Sequence, residues 1–316
     1  MNVGQSGAGS STVDVQPEPL VNLREIAEIE LFIMKRMKEL TTGDHASVFK
    51  GGGFNFVGLR DWQPGDRMAS IDWAQSSMTN FSPMITREFE QESNAVIMAV
   101  ADASMSTRCV VQGVSIATAI ARAVAAVGLS ATFFQDMFGL LTFDDKFEQL
   151  AAARPRVGRS HVLYCLGLYQ DRRAIDIPGG PRDIALAIEG QLRKSSLVPV
   201  ISDFLFADAP RVIGELAHLN AVHDVFLAMA DVRFAYEMPA LSDGWIEVAD
   251  IESGGTRVLS RRELRRLAER VGQWQDAIER QARDAGLDVV RVGLDRWEME
   301  TELVKFASER RLRKMV

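Results

Sequence analysis

Oxygen-bearing side chains follow two of the most apolar stretches of this chain, at the points where those stretches end. Asp102, Ser104 and Ser106 form an Asp-x-Ser-x-Ser pattern directly after an uninterrupted apolar run, and Asp203 comes directly after a second run. Ligands of an open parallel sheet bind beyond the carboxyl ends of its strands, so we expect these side chains to lie at one edge of a sheet. Hard oxygen ligands of this kind suit Mg²⁺, which keeps several waters and needs only one or two carboxylates.

Two other interpretations of the same residues remain open. An aspartate at a strand end, followed by serines before a helix, also forms a simple turn and an N-cap. A hydrolase or phosphatase could use Asp102 as a nucleophile or Ser104 as an activated hydroxyl. Aspartate phosphatases of the doubly wound type need a second carboxylate two residues after the first, where this chain has Ser104. No Gly-x-Ser-x-Gly elbow surrounds either strand end.

The elements that must position these residues alternate between strand and helix. The apolar run 95–101 precedes the helical pattern 114–127, and the run 197–202 precedes the pattern 210–219. This alternation predicts an α/β fold, with a three-layer, doubly wound and mainly parallel sheet. Residues 138–143 and 147–152 are predicted to form a hairpin within or beside the sheet. Further predicted elements are an edge strand at 85–89, strands at 225–229 and 289–292, a long helix at 261–285 and an inserted hairpin near 245–259.

The chain before this sheet divides into a tail and a small module. Residues 1–22 are rich in Gly, Ser and Pro near the start and are predicted to be a flexible tail. Residues 23–40 have the apolar spacing of an amphipathic helix, and the Gly-rich and aromatic stretch that follows predicts short strands and turns. We therefore predict an N-terminal helix and small β-rich module at 23–82, with Trp73 as its core anchor, and the sheet domain at 83–316.

Charge and composition restrict the partners. The 316 residues carry a formal net charge of −7, which disfavours nucleic acid as the main partner unless basic residues cluster on one face. The most apolar helical stretch contains Arg122 near its centre, where a charge is costly in lipid, so we predict no transmembrane segment. Two cysteines in apolar surroundings and no signal peptide indicate a cytoplasmic protein.

Several segments together resemble a known bacterial family. They are LRDWQPGD at 59–66, IDW at 71–73, REFEQE at 87–92, DASMS at 102–106, GLLTF at 139–143 and ISD at 201–203. This composite resembles the signature of the domain-of-unknown-function family fifty-eight. The resemblance runs from about residue 43 to the C-terminal end and implies a von Willebrand factor A-like domain preceded by a small β-rich module.

The resemblance also implies a site and a partner. Asp102, Ser104 and Ser106 match the metal-ion-dependent adhesion motif, and Asp203 matches its aspartate from the later strand. The motif usually has a threonine as well, for which Ser160 is the best candidate in this chain. Family members are typically encoded beside a MoxR-type AAA+ ATPase and resemble non-enzymatic adaptors or chaperone partners. The expectation is therefore a Mg²⁺-dependent docking protein for that ATPase and an unknown protein client, with a scaffold whose metal site is vestigial as the alternative.

Overall fold

The described part of the chain contains twelve strands and seven helices. We describe the fold from a computed structural model, which covers residues 19–42, 55–63, 68, 71–90, 95–108, 110–111, 114–144, 147, 150–171, 183–232, 245–249, 256–293, 303 and 306. Most of the predicted tail lies outside these residues. The helices are α1 Leu23–Thr42, α2 Trp73–Met78, α3 Ile116–Phe133, α4 Arg159–Asp171, α5 Ile184–Glu189, α6 Ala209–Leu219 and α7 Arg261–Asp284.

The strands form one large sheet and three small ones. They are β1 Asn55–Asp61, β2 Ile85–Glu90, β3 Val96–Asp102, β4 Val110–Val111, β5 Val114–Ser115, β6 Met137–Phe143, β7 Ala151–Arg156, β8 Leu197–Ser202, β9 Asp224–Ala230, β10 Trp245–Ala249, β11 Thr256–Ser260 and β12 Asp288–Val292. The large sheet has the order β12-β9-β8-β3-β6-β7, and only the β6–β7 pair is antiparallel.

This strand order creates a crevice between β3 and β8. The chain moves from β3 outward to β6 and β7, and then crosses to β8 and continues outward in the other direction. In doubly wound sheets, ligands bind at such a point, where the direction of the strand order changes. The ends of β3 and β8 are therefore the places where this architecture puts a ligand.

Each face of the sheet buries its own helices, because the strand side chains alternate between two cores. Ile97, Ala99 and Ala101 of β3 pack in the core that contains α3 and α4, whereas Met98 and Val100 pack in the core with α5, α6 and α7. Every residue of β3 is buried, as expected for a central strand covered on both faces. The predicted three-layer, mainly parallel α/β architecture is confirmed, and so is the inserted hairpin, β10 and β11. The hairpin of β6 and β7 also forms, but its second strand is Ala151–Arg156 and not the predicted 147–152.

Helix α3 is the one helix of the described residues that is long and apolar enough to cross a membrane, and 78% of that stretch is buried inside the fold. Its Arg122 forms an ion pair with Glu25 of α1, with Nε and Oε1 2.5 Å apart. The predicted cost of that arginine in an apolar helix is thus offset by a specific partner.

Helix α1 packs on the large domain. Its Ile26, Ile29 and Ile33 are at most 3% exposed and belong to the same core as α3. The structure thus places α1, which we grouped with the small module, on one face of the large sheet. The division at residue 82 stays a prediction for the rest of the chain.

The small module contains β1, β2 and α2. We predicted an edge strand of the main domain at 85–89, but β2 pairs antiparallel with β1 in a separate sheet. Asp72 caps α2, because its Oδ1 accepts the backbone N–H groups of Ala74 and Gln75, both at 3.1 Å. The prediction that Trp73 anchors the interior was wrong, since Trp73 is 56% exposed as the first residue of α2.

Candidate functional site

The carboxylate of Asp102 lies at the crevice and is fully buried. Its Oδ1 accepts the backbone N–H of Ser104 at 2.9 Å and also the Ser104 hydroxyl. Its Oδ2 accepts the hydroxyl of Ser202 at 2.6 Å. A buried carboxylate is tolerated only where charge-assisted hydrogen bonds or a cation compensate for its lost hydration. The hydroxyls of Ser104 and Ser202 therefore each contact the Asp102 carboxylate at the end of β3.

Ser202 links the two strand ends and was not among the predicted site residues. Its oxygen donates to Asp102 and also accepts the backbone N–H of Phe204 at 2.9 Å. Its sequence signal is its place between the apolar run 197–201 and Asp203. In the structure Ala101 pairs with Ile201 in the parallel register of β3 and β8, so the next residue of β8 stands beside Asp102.

Asp203 follows at the start of a tight turn. Its Oδ1 accepts the backbone N–H of Leu205 at 3.0 Å, which repeats the contact that Asp102 makes with the amide of Ser104. Asp203 is 2% exposed. Phe204, between them, has a φ of 54°, a left-handed conformation that is strained for a bulky residue and that tends to occur at functional sites.

Two side chains of helix α7 hydrogen-bond to the backbone of this strained turn. The Trp274 indole Nε1 donates to the carbonyl of Phe204 at 2.8 Å. The fully buried Gln275 donates its Nε2 to the carbonyls of Asp203, at 3.0 Å, and of Ala230, at 2.9 Å. The ends of β8 and β9 are thus fixed relative to each other by one side chain. No local pattern in the sequence indicates these contacts, because they join residues far apart in the chain.

Tyr169 supports the site from α4. Its hydroxyl donates to the backbone carbonyl of Asp102 at 2.7 Å. Burial raises the pKa of Tyr169, and the negative charge of Asp102 raises it further. The phenol therefore keeps its proton and remains a hydrogen-bond donor across the neutral pH range.

The structure brings some of the predicted site residues together and not others. Asp102 and Ser104 are in contact, and Asp203 lies one residue beyond the strand end that contacts Asp102. Ser106 is half-buried in a 3-10 turn, Met105–Arg108, and its side chain forms no hydrogen bond within the described part of the chain. That turn is fixed instead by the buried Thr107, whose hydroxyl donates to the carbonyl of Ser104 at 2.7 Å.

Ser160 is not brought to this edge of the sheet. It is exposed in the first turn of α4, just after β7. Because β7 runs antiparallel to β6 and ends beside Phe138 at the start of that strand, α4 begins at the opposite edge. Nine residues separate Ser160 from Tyr169, which is about 13 Å along a helix.

His161, next to Ser160, also lies away from Asp102. Its Nε2 is 3.7 Å from Cys165 Sγ, and its ring stacks on Tyr164. Burial lowers the pKa of His161.

The donor set of the site fits Mg²⁺ better than a softer metal. Within the described residues no group of three or more His, Cys, Asp or Glu side chains could hold a metal. A zinc site would need such a group. Asp102, Asp203 and the hydroxyl of Ser104 supply hard oxygens and two carboxylates, which is what Mg²⁺ uses while it keeps several of its waters, and Ser202 orients the Asp102 carboxylate. Asp102, Ser104 and Asp203 would hold the cation.

The family comparison is decisive for the identity of the chain. Residues 58–278, more than half of the chain, match the model of a family described as "Protein of unknown function DUF58". The chain belongs to the DUF58 family. The resemblance drawn from the sequence segments is thereby confirmed. Among curated proteins, none matches this DUF58 protein.

Solved structures with a similar fold come from several bacteria. One is an aerotolerance-related membrane protein from Bacteroides fragilis, 11% identical, with 67% of this chain and 100% of that chain covered and a TM-score of 0.36. Another is BatB from Bacteroides thetaiotaomicron, at 15% identity, 68% and 100% coverage and a TM-score of 0.38. The PilB minor pilin from Streptococcus sanguinis follows at 8% identity, 73% and 64% coverage and a TM-score of 0.39. The family assignment rests on the family model alone.

Removing the Ser202 hydroxyl tests how the Asp102 carboxylate is oriented. We expect Ser202→Ala to weaken Mg²⁺ binding about tenfold or more, because groups that orient a metal ligand contribute that much to affinity. Ser202→Thr keeps the hydroxyl and should bind Mg²⁺ like the wild type. Isothermal titration calorimetry of the three proteins measures the effect. Equal affinities in Ser202→Ala and wild type would contradict this role for Ser202.

Proposed function

We propose that this DUF58 protein is a non-enzymatic, cytoplasmic adaptor that docks a protein partner through a Mg²⁺ held at the ends of β3 and β8. The observation that supports the proposal is the fully buried Asp102 carboxylate, which accepts hydrogen bonds from the hydroxyls of Ser104 and Ser202. Ser202 is the residue directly before Asp203. When bound, Mg²⁺ supplies a coordination position that protein ligands do not fill and that a carboxylate of a partner can take.

The rigidity of the site favours docking. Phe204 is held in a left-handed conformation by contacts to Ser202 on one side and to Trp274 on the other. Preorganisation of this kind lowers the entropy lost when a partner binds. The same contacts fix the backbone at Asp203, the residue that follows Ser202.

A hydrolase or phosphatase at the same strand ends gains less support. An Asp102 nucleophile would need a nearby acid–base group, but the position two residues on is Ser104, whose hydroxyl and amide both donate to Asp102. These contacts fix the orientation of the carboxylate, as groups around a metal ligand do, and none of them supplies a second acid–base group.

The partner that the proposal names is a MoxR-type AAA+ ATPase, which would act with this protein in the assembly or maturation of a client. The test is the affinity of the purified chain for a purified MoxR-type ATPase from the same organism, measured by biolayer interferometry at constant Mg²⁺. Constant Mg²⁺ is needed because the ATPase requires the cation for its own nucleotide. We expect Asp102→Asn to lose at least about tenfold in affinity, since the cation that the partner's carboxylate would coordinate is held more weakly without the Asp102 charge.

The matched control is Asp136→Asn. Asp136 is also a buried aspartate, but it accepts the backbone N–H of Ala95 at the opposite edge of the sheet. It should bind the ATPase like the wild type. The proposal fails if Asp102→Asn and the wild type bind the ATPase equally, or if neither binds it.

A further inference from the structure

The first three turns of α7 carry an unusual density of arginine. Five arginines and two glutamates leave a formal charge of +3 across residues 261–270, in a chain whose net charge is −7. All five arginine side chains are exposed, and none forms an ion pair with any residue in the described ranges. We call these residues the arginine ridge: Arg261, Arg262, Arg265, Arg266 and Arg270.

The ridge faces away from the protein. At about 100° per residue, Arg262 and Arg266 fall on the side of α7 opposite the buried Leu264 and Val271, and the exposed Arg265 falls on the flank between the two sides. The buried face fixes the helix on the domain, so the opposite side is directed toward solvent. The positive charge of the arginine ridge is therefore exposed to solvent on a helix that is packed against the domain.

Helix stability does not explain the ridge. The N-terminal end of a helix carries a partial positive charge, so arginines in its first turns are unfavourable, whereas acidic residues would be stabilising. The helix start is instead stabilised by a capping box. Ser260 and Glu263 bond to each other through side chain and backbone, and these contacts to Ser260 lower the pKa of Glu263. The arginines thus add repulsion that the fold does not need.

The ridge adjoins the strand ends of the candidate site. Gln275 of α7 is bonded to the carbonyls of Asp203 and Ala230, at the carboxyl ends of β8 and β9. The ridge residues precede Gln275 by 5 to 14 positions, which places them about 8 to 21 Å from it along the helix axis. They form the N-terminal part of α7, which precedes the contact that Gln275 makes with the strand ends.

We propose that the arginine ridge binds an acidic segment of the protein partner, and that the ridge and the cation site together form one surface for carboxylates. This inference rests in part on the proposed function, because the open coordination position of a bound Mg²⁺ also selects a carboxylate. Arginine presents a planar fork that matches a carboxylate bidentately. A short acidic protein segment fits better than nucleic acid or an anionic membrane, because the positive charge is confined to residues 261–270 and the negatively charged rest of the chain repels an extended polyanion or a membrane surface more strongly than a short segment.

The test compares charge reversal on the ridge with the same reversal elsewhere. The ridge variant is Arg262→Glu, Arg265→Glu and Arg266→Glu. All three side chains are exposed and the reversal removes cations from a helix N-terminus, so we expect the variant to fold and to melt no lower than the wild type. The probe is a fluorescein-labelled oligoglutamate peptide, and its affinity is measured by fluorescence anisotropy.

The control variant makes the same change in net charge at other exposed arginines. It is Arg154→Glu, Arg156→Glu and Arg193→Glu, on β7 and in the turn after α5. We expect the ridge variant to bind oligoglutamate at least about tenfold more weakly than the control, with a difference that shrinks as salt is added. Equal affinities of the two variants would overturn the proposal.

Two further arms separate the possible outcomes. If single-stranded DNA or phosphatidylserine vesicles bind the wild type more tightly than oligoglutamate does, the assignment of an acidic protein segment is overturned. Asp102→Asn, titrated with the same peptide with and without Mg²⁺, reports on the cation site. If Mg²⁺ strengthens peptide binding by the wild type but not by Asp102→Asn, and the ridge variant binds the peptide like the control, the cation site is supported and the ridge proposal is overturned. If the ridge variant binds the peptide more weakly than the control, and Mg²⁺ has the same effect on Asp102→Asn as on the wild type, the ridge is supported and the cation site is overturned.

Discussion

Magnesium should raise the melting temperature of the wild-type chain by about 4 °C when it is present at a hundred times its dissociation constant. The reason is mass action: the cation binds the folded chain at Asp102 and Asp203, whereas the unfolded chain has no such site. Asp102→Asn should show no magnesium-dependent shift. It keeps the shape of the buried side chain and an acceptor for the amide of Ser104, so the variant should still fold.

Two controls accompany this measurement by differential scanning calorimetry. Sodium chloride at matched ionic strength should not reproduce the shift, because screening of surface charge is not specific to a divalent cation. Asp136→Asn, at the other edge of the sheet, should keep the full magnesium shift even if it melts at a lower temperature. A shift of equal size in Asp102→Asn and wild type would place the cation elsewhere.

The second large effect is expected on stability. Ile29→Ala should lower the free energy of unfolding by about 2 to 5 kcal/mol, because Ile29 is fully buried between α1 and the large domain and its truncation leaves a cavity. Urea denaturation followed by circular dichroism measures the change. The matched control is Leu31→Ala on the same helix, which is 62% exposed and should change stability by no more than about 0.5 kcal/mol.

This comparison decides to which unit α1 belongs. If Ile29→Ala and Leu31→Ala have equally small effects, α1 does not contribute to the core of the large domain. A large effect from Ile29 alone agrees with the ion pair between Glu25 and Arg122, which joins α1 to α3.

The sheet could be predicted because its central strands are buried on both faces. β3 and β8 appear in the sequence as continuous apolar runs, and each is followed by a helical pattern, so the parallel alternation was evident. The strand β2 was less predictable. Its alternation of apolar and charged residues fits any edge strand, and nothing local says that its partner is β1.

The site was predictable to the extent that it lies at strand ends. Asp102 and Asp203 follow apolar runs, and the doubly wound order brings those ends together. Ser202 could not be assigned in the same way, because its contact with Asp102 depends on the register of β3 against β8, which the sequence does not specify. Ser160 could have been excluded, because the predicted hairpin of β6 and β7 reverses the chain and takes α4 to the opposite edge.

The supporting contacts could not be predicted. Tyr169, Trp274 and Gln275 reach the site from helices distant in sequence, and their spacing within those helices is that of ordinary buried or half-buried residues. The left-handed conformation of Phe204 also has no signal, since the position carries neither glycine nor asparagine. Tertiary contacts alone fix these features.

We propose that oxygens of Asp102, Ser104 and Asp203 hold a divalent cation. A crystal of the wild-type chain soaked in Mn²⁺, which prefers the same hard oxygen ligands as Mg²⁺ and scatters anomalously, tests it most directly. We expect one strong anomalous peak beside the Asp102 carboxylate, bounded by oxygens from both strand ends. An electron density map with no peak there, and with Asp102 still bonded to Ser104 and Ser202, would contradict it.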